Sequence, residues 1–185
     1  EKYIQNGHVV AIGTSALGDD FLKALAWRVE TRALNVQIIP TSMSQIRLLQ
    51  GTGLKTTSLN DSEVDVAIEF ADIVDESFNF IKRDSTSLVR DKMIAQSAGE
   101  MIVVCGEAGM VKRLHGMIPF EISTFGWKRT LLQLQMLGKV KYPLGEPSKT
   151  ESGHYLAEAE CEHLYPLEEF EMQAKNIPGV LETGL

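Results

Sequence analysis

Four ionisable side chains in one stretch of the sequence could together carry proton-transfer chemistry. Glu69 and Asp72 follow the apolar run 64–68, Lys82 comes next, and Asp91 lies in a segment with helical spacing. A carboxylate can move a proton between neighbouring atoms, and a lysine can stabilise negative charge that develops on an oxygen. The pattern therefore predicts a site where acids and a cation surround one small polar substrate.

The elements that must position these side chains alternate between strands and helices. Apolar runs predict strands at 8–12, 36–39, 64–68 and 101–105. Apolar residues at helical spacing predict helices over 19–32, after residue 40, over 87–98 and around 110–114. This alternation predicts an α/β fold, with a Rossmann-like, mostly parallel sheet that carries helices on both faces.

The carboxyl ends of the predicted strands mark the expected binding edge, because ligands of parallel sheets bind beyond those ends. Gly13, Ser42, Glu69 and Gly106 all fall at this edge. We therefore expect substrate contacts from the loops that begin there.

The last third of the sequence predicts a small α+β domain over residues 123–175. Helical spacing at 127–137 and 166–175 flanks two predicted strands, at 139–142 and 154–159. Residues 176–185 predict a turn and a short strand that returns to the main sheet. The first domain is therefore expected to comprise residues 1–122 together with about 176–185.

Composition excludes several classes of function. The 185 residues carry a net charge of −7, which argues against a nucleic-acid partner, and no apolar run is long enough to span a bilayer. The four histidines lack metal-ligand spacing, and we expect neither a metal nor a cofactor. Two cysteines, Cys105 and Cys161, indicate a reducing compartment, either cytoplasm or an organelle matrix or stroma. The first residues carry no secretory or transit signature.

Several ordered motifs resemble ribose-5-phosphate isomerase of the A type over nearly the whole chain. The family pattern is Asp-Gly-Ala-Asp-Glu, then a lysine with a run of glycines, then Leu-Arg-Glu-Lys. Residues 69–73, 82–85 and 89–92 resemble these three motifs at unchanged spacing. Residues 118–122 resemble the family's Leu-Pro-Val-Glu-Val strand, and residues 150–154 resemble its Thr-Asp-Asn-Gly-Asn turn. Ordered matches at fitting separations are more specific than any single motif.

The resemblance implies a reaction and a role for each candidate residue. The family interconverts ribose 5-phosphate and ribulose 5-phosphate through an enediolate. By resemblance Asp91 stands where the glutamate that shuttles the proton stands, and Lys82 supplies positive charge to the enediolate oxygens. Glu69 and Asp72 would assist ring opening and position hydroxyls.

Two of the acids among these four residues differ from the family pattern in opposite ways. Glu69 is one methylene longer than the family's aspartate, and Asp91 is one methylene shorter than its glutamate. Either the two have exchanged reach, or both have drifted after selection for catalysis ended. Because a base misplaced by about 1 Å can cost roughly 100-fold in rate, drift is slightly favoured.

The expected phosphate site departs further from the family. The family's Gly-Thr-Gly-Ser-Thr loop reads Gly13-Thr14-Ser15-Ala16-Leu17 here, so Gly13, Thr14 and Ser15, with Ser42, are the candidate substrate-binding residues. Arg83, Asp84 and Ser85 replace the glycine run, and their side chains would crowd or rebuild the pocket. Arg83 could itself bind phosphate or simply be solvated. The turn at 106–109 lacks the family's lysine.

These changes predict a divergent homologue in which isomerase activity is impaired or lost, and they leave open whether the chain is an enzyme. A working isomerase with a rearranged site would bind a pentose phosphate. A non-catalytic subunit would bind protein partners or form a homo-oligomer. A sensing domain on the same fold would bind another metabolite.

Overall fold

The computed structural model describes residues 3–32 and 34–185. They form two compact units. The first takes the described residues of Glu1–Phe70 together with Asp84–Thr86 and Arg90–Val104. The second takes Ala71–Arg83, Ser87–Val89 and Cys105–Leu185. Among the described residues, no helix has the length and apolar character that a membrane span requires.

A five-stranded sheet with the order β3-β2-β1-β4-β7 forms the centre of the first unit. Its strands are β1 (Val9–Ile12), β2 (Gln37–Pro40), β3 (Lys55–Thr56), β4 (Val64–Ala71) and β7 (Ala98–Cys105). β1 pairs in parallel with both β2 and β4, and β2 pairs in parallel with β3. This arrangement confirms the mostly parallel sheet that the alternating pattern predicts.

Helices cover both faces of this sheet. They are α1 (Ala16–Arg32), α2 (Met43–Gln50) and α3 (Leu88–Ser97). Leu22 and Leu25 of α1 pack with Val10 and Ile12 of β1. Ala11, whose side chain points to the opposite face, packs in a separate cluster with Ile94 of α3. The expected α/β class is therefore confirmed.

An antiparallel sheet with the order β10-β11-β9-β12 dominates the second unit. Its strands are β9 (Gly116–Ile122), β10 (Lys139–Lys141), β11 (Tyr155–Cys161) and β12 (Val180–Thr183), with helices α4 (Trp127–Leu134) and α5 (Leu167–Lys175). Phe120 and Leu131 are fully buried in its core. The final strand, expected to return to the main sheet, instead pairs with β9 within this antiparallel sheet. The domain boundaries at 122/123 and 175/176 stay a prediction.

A small sheet with the order β6-β5-β8 completes the second unit, and the sequence did not predict it. Its strands are β5 (Ile73–Asp75), β6 (Phe80–Ile81) and β8 (Met110–Val111). The helix expected around 110–114 is therefore wrong: a 3-10 turn at Glu107–Gly109 leads into β8. So short a helix is marginal alone, whereas Met110 gains strand pairing with Val74.

Candidate active site

The loop from Gly13 to the start of α1 is fixed from two sides. The Gly13 amide donates to the Ile68 carbonyl of β4 at 2.8 Å. The side-chain amide of Gln45, which is fully buried in α2, donates to the carbonyls of Ile12 and Gly13 at 3.1 and 3.2 Å. Inside the loop, the Ser15 hydroxyl accepts from the Leu17 amide at 3.1 Å. The loop is thus a built part of the fold.

The carboxylate of Asp91, in the first turn of α3, lies against this loop. Its Oδ1 accepts from the Thr14 backbone amide at 2.9 Å, and its Oδ2 accepts from the Thr14 hydroxyl at 2.8 Å. The Ser85 hydroxyl donates to the same Oδ2 at 2.6 Å. Asp91 is 4% exposed. Both oxygens of the expected proton carrier are therefore engaged by the protein.

A second carboxylate reaches the same loop. Oδ2 of Asp84 accepts from the backbone amide of Ala16, the first residue of α1, at 3.2 Å. Free amides at a helix start bind anions, and here that anion is a side chain of the chain itself. Asp84 and Ser85 both stand where the family pattern has glycine.

Asp72 and Lys82 lie in the second unit, at the open end of the β5–β6 hairpin. The pairing of Ile73 with Ile81 places them just beyond the two strands. One oxygen of Asp72 accepts from the Arg83 amide at 2.6 Å, and the other lies 3.7 Å from Arg83 Nε. Lys82 is 3% exposed, and its backbone amide donates to the Gly184 carbonyl at 2.8 Å.

Glu69 and Ser42 occupy less typical binding positions. Glu69 lies within β4, not beyond its end, and is 1% exposed. Its neighbours Ile68 and Phe70 pack on the α1 side, so alternation turns Glu69 to the opposite face, which Ile94 of α3 covers. The Ser42 hydroxyl caps α2 by accepting from the Gln45 amide at 3.2 Å.

The structure thus brings the expected residues together in two groups. Asp91, Thr14, Gly13 and Ser15 meet at one loop of the first unit, to which Glu69 also belongs. Asp72 and Lys82 meet at the hairpin of the second unit. The roles that the resemblance implies for these residues stay predictions.

Sequence reasoning missed the side chains that bind the loop and the helix start. Asp84, Ser85 and Gln45 contact the loop as described above. In the second unit, the fully buried Glu121 accepts from the Val89 amide of α3 at 3.0 Å and from the Thr150 hydroxyl at 2.8 Å. Nδ1 of His154 lies 2.9 Å from Glu121 Oε1. The available signal was that Asp84, Ser85 and His154 depart from the family residue inside otherwise matching motifs.

Neither thiol is suited to nucleophilic chemistry. Burial raises the pKa of Cys105, with a further contribution from the Asp72 carboxylate, and burial raises the pKa of Cys161 to about 11. Thiols with raised pKa values stay protonated near neutral pH and are poor nucleophiles. Among the residues that the structure describes, no group of acids, histidines and cysteines is arranged to hold a metal.

Comparisons with known proteins agree with the fold. The family model "Ribose 5-phosphate isomerase A (phosphoriboisomerase A)" matches residues 37–185. Ribose-5-phosphate isomerase A of Methanothermobacter thermautotrophicus is 31% identical over 98% of this chain and 83% of its own. The protein of that name from Methanoregula boonei is 32% identical over 100% of this chain and 80% of its own.

Solved structures give the same result. Ribose 5-phosphate isomerase A of Methanocaldococcus jannaschii superposes with a TM-score of 0.90 at 26% identity, over 99% of this chain and 84% of that one. A D-ribose-5-phosphate isomerase in complex with phospho-erythronic acid gives 0.91 at 27% identity, over the same shares. Fold and likeness together define the class, an α/β protein of isomerase type. The chain belongs to the ribose 5-phosphate isomerase A family.

The family model covers the segments that hold Asp72, Lys82 and Asp91. The relative from Methanoregula boonei is aligned over the whole chain, the Gly13 loop included.

Proposed function

We propose that this chain is a divergent ribose 5-phosphate isomerase A in which conversion of ribose 5-phosphate to ribulose 5-phosphate is impaired or lost. One observation carries the proposal: the loop amides expected to receive the sugar phosphate donate instead to carboxylates of the chain. The Thr14 amide donates to Asp91 and the Ala16 amide donates to Asp84. The family supports the reaction class, and these contacts support the proposed loss.

Electrostatics supports the exclusion of phosphate. A phosphate monoester would have to approach the loop beside two carboxylates that already hold its amides. Like charges a few ångströms apart repel, and the repulsion is stronger in a partly buried site than in water. Leu17, at the expected position of a phosphate-binding hydroxyl, is 58% exposed and offers no donor from its side chain.

The state of Asp91 supports a weakened proton transfer. A general base must reach the carbon-bound proton within hydrogen-bonding distance, so geometry decides first. The three hydrogen bonds from Thr14 and Ser85 hold the carboxylate against the loop. Moving it toward a substrate would break contacts to a charged acceptor, each worth about 1.5–3 kcal/mol.

Restoring glycines beside the loop tests this proposal. We expect the amide signals of residues 13–17 of the wild type to shift little in roughly 10 mM ribose 5-phosphate, because no site receives it in the loop. The variant Asp84→Gly/Ser85→Gly frees the Ala16 amide and releases one side of Asp91. Its signals at residues 13–17 should shift on titration with ribose 5-phosphate, because the loop amides can then donate to the phosphate.

One single variant separates the two proposed causes of weak binding, which are charge repulsion and the occupied loop amides. Asp84→Asn keeps the size of the side chain and removes its charge, so any gain in binding from it measures repulsion alone. Asp61→Asn, the same change in a loop of the first unit that lies away from these contacts, serves as the matched control. A wild type in which ribose 5-phosphate shifts the signals of residues 13–17 as strongly as in the double variant would contradict the proposal.

A further inference from the structure

A cavity of about 310 Å³ is lined by residues of the second unit, none of which belongs to the Gly13 loop. Its polar lining comes from Arg83, Lys141, Tyr142, Ser148 and Glu158, and its apolar walls include Leu156. Two cations face one acid there, in a chain whose net charge is −7. The local charge of the lining is therefore opposite to that of the protein.

Arg83 supplies the stronger of the two cationic groups. Its Nε faces Asp72 at 3.7 Å, and its side chain is 38% exposed. Among the described residues, the guanidinium of Arg83 contacts Asp72 through Nε, which leaves its two terminal amino groups for another acceptor. A guanidinium presents paired donors that match the oxygens of a phosphate or a carboxylate.

Lys141 and Tyr142 add donors on the neighbouring strand and loop. Lys141 Nζ lies 2.9 Å from Glu158, but this pair is exposed at the surface, and such pairs contribute little. The lysine can therefore turn to a ligand at small cost. The Tyr142 hydroxyl accepts from the Gln135 side chain at 2.7 Å, which leaves its own proton to donate.

We propose that this cavity binds a small organic anion whose phosphate or carboxylate group contacts Arg83, Lys141 and the Tyr142 hydroxyl. The apolar walls around Leu156 take the uncharged part of the ligand. The volume suits a small metabolite and lies at the low end of ligand cavities in proteins, roughly 300–1,000 Å³. This site needs neither the Gly13 loop nor isomerase activity.

Amide chemical-shift mapping of the full chain tests the site with three probes: phenyl phosphate, benzoate and inorganic phosphate. We expect the two organic anions to shift signals of residues 83, 141, 142 and 148, and to bind at least about tenfold more tightly than inorganic phosphate because their rings are buried. Comparison of the first two probes decides between a phosphate and a carboxylate. Each binding constant comes from the same titration.

Matched variants give the decisive comparison. Arg83→Gln should weaken binding of the organic anions about tenfold, the usual loss for a charged hydrogen-bonding partner. Arg129→Gln, the same change at an exposed residue of α4 outside the cavity, should leave it unchanged. Unaltered melting temperatures show that both variants are folded.

Three outcomes would overturn the inference. Equal weakening by both variants would indicate charge attraction without a site. An absence of shifts at the cavity would reject the site and leave the proposed function standing. Shifts at residues 13–17 in its place would reject this site and also contradict the proposal that the loop excludes phosphate.

Discussion

In the function proposed above, Asp91 no longer acts on a substrate, and its hydrogen bond with Ser85 is part of the reason. Asp91 is one methylene shorter than the glutamate it replaces, and Ser85 adds a hydroxyl where the family has glycine. In the structure the Ser85 hydroxyl donates to the Asp91 carboxylate at 2.6 Å, and the Thr14 hydroxyl donates to the same oxygen. An acid that would act on substrate in the family has become, in this interpretation, a structural acceptor.

This interpretation makes Ser85 a stabilising residue. Replacing Ser85 with alanine removes a donor to a buried carboxylate, so we expect the free energy of unfolding to fall by about 1.5–3 kcal/mol. Urea denaturation at neutral pH measures it. Ser77→Ala, at an exposed serine of the β5–β6 turn, is the matched control and should change stability little. An equal loss of unfolding free energy in the two variants would show that Ser85 has no structural role.

At the scale of elements, the β5–β6 hairpin depends on one buried acid. Asp75 accepts from the backbone amides of Ser77 and Asn79, both at 2.9 Å, and from the Tyr165 hydroxyl at 2.8 Å. Phe78 in the turn has φ of 64°, a left-handed conformation that costs energy for a bulky residue. The acid therefore holds a turn whose backbone is otherwise unfavourable.

The hairpin should consequently be sensitive to acid. Burial alone would raise the pKa of Asp75, but the hydrogen bonds from Asn79, Tyr165 and Ser77 outweigh it and lower the pKa below 3.8. A carboxyl whose pKa is lowered by folding stabilises the fold at pH values above its pKa in the unfolded chain. That contribution is lost as the pH falls through the folded pKa. The destabilisation caused by Asp75→Asn should therefore be larger at pH 7 than at pH 2–3, measured by urea denaturation.

Glu76→Gln, an exposed neighbour, is the control for that experiment. If the stability lost on Asp75→Asn stays constant from pH 7 to pH 2, the carboxylate form of Asp75 does not stabilise the hairpin.

The elements that could be predicted are those in which several apolar residues repeat at strand or helix spacing. Strand β1 and helix α1 each bury several such residues, so their positions follow from the sequence. Strands β5, β6 and β8 have two or three residues each, and partners distant in the chain decide their structure. That is why residues 110–114 were expected to be helical.

The elements that carry the candidate residues could be predicted from the sequence, but the contacts of these residues could not. Spacing and resemblance located Asp72, Lys82 and Asp91, whereas the hydrogen bonds of Asp84 and Ser85 depend on how the 83–86 segment meets the Gly13 loop. Gln45 was equally hidden, because a glutamine in an amphipathic helix is usually exposed, and here it is fully buried.

At the scale of the whole molecule, the family fold is kept, and the loss of activity proposed here rests on a few side-chain contacts. The parallel sheet presents the Gly13 loop at the carboxyl end of β1, and the second unit presents Asp72 and Lys82 on a hairpin. Structural likeness to solved isomerases is high, with TM-scores of 0.90 and 0.91. Fold alone therefore does not decide activity, which depends on the contacts of a few side chains.

The rate of ribulose 5-phosphate formation from ribose 5-phosphate tests the central claim most directly. The purified chain is assayed beside ribose 5-phosphate isomerase A of Methanocaldococcus jannaschii under the same conditions. Because the loop holds its own carboxylates and Asp91 is bound to Thr14 and Ser85, we expect kcat/KM to lie at least about 100-fold below that of the relative. A kcat/KM less than about 100-fold below that of the relative, and abolished by Asp91→Ala, would contradict the account and make Asp91 a working base.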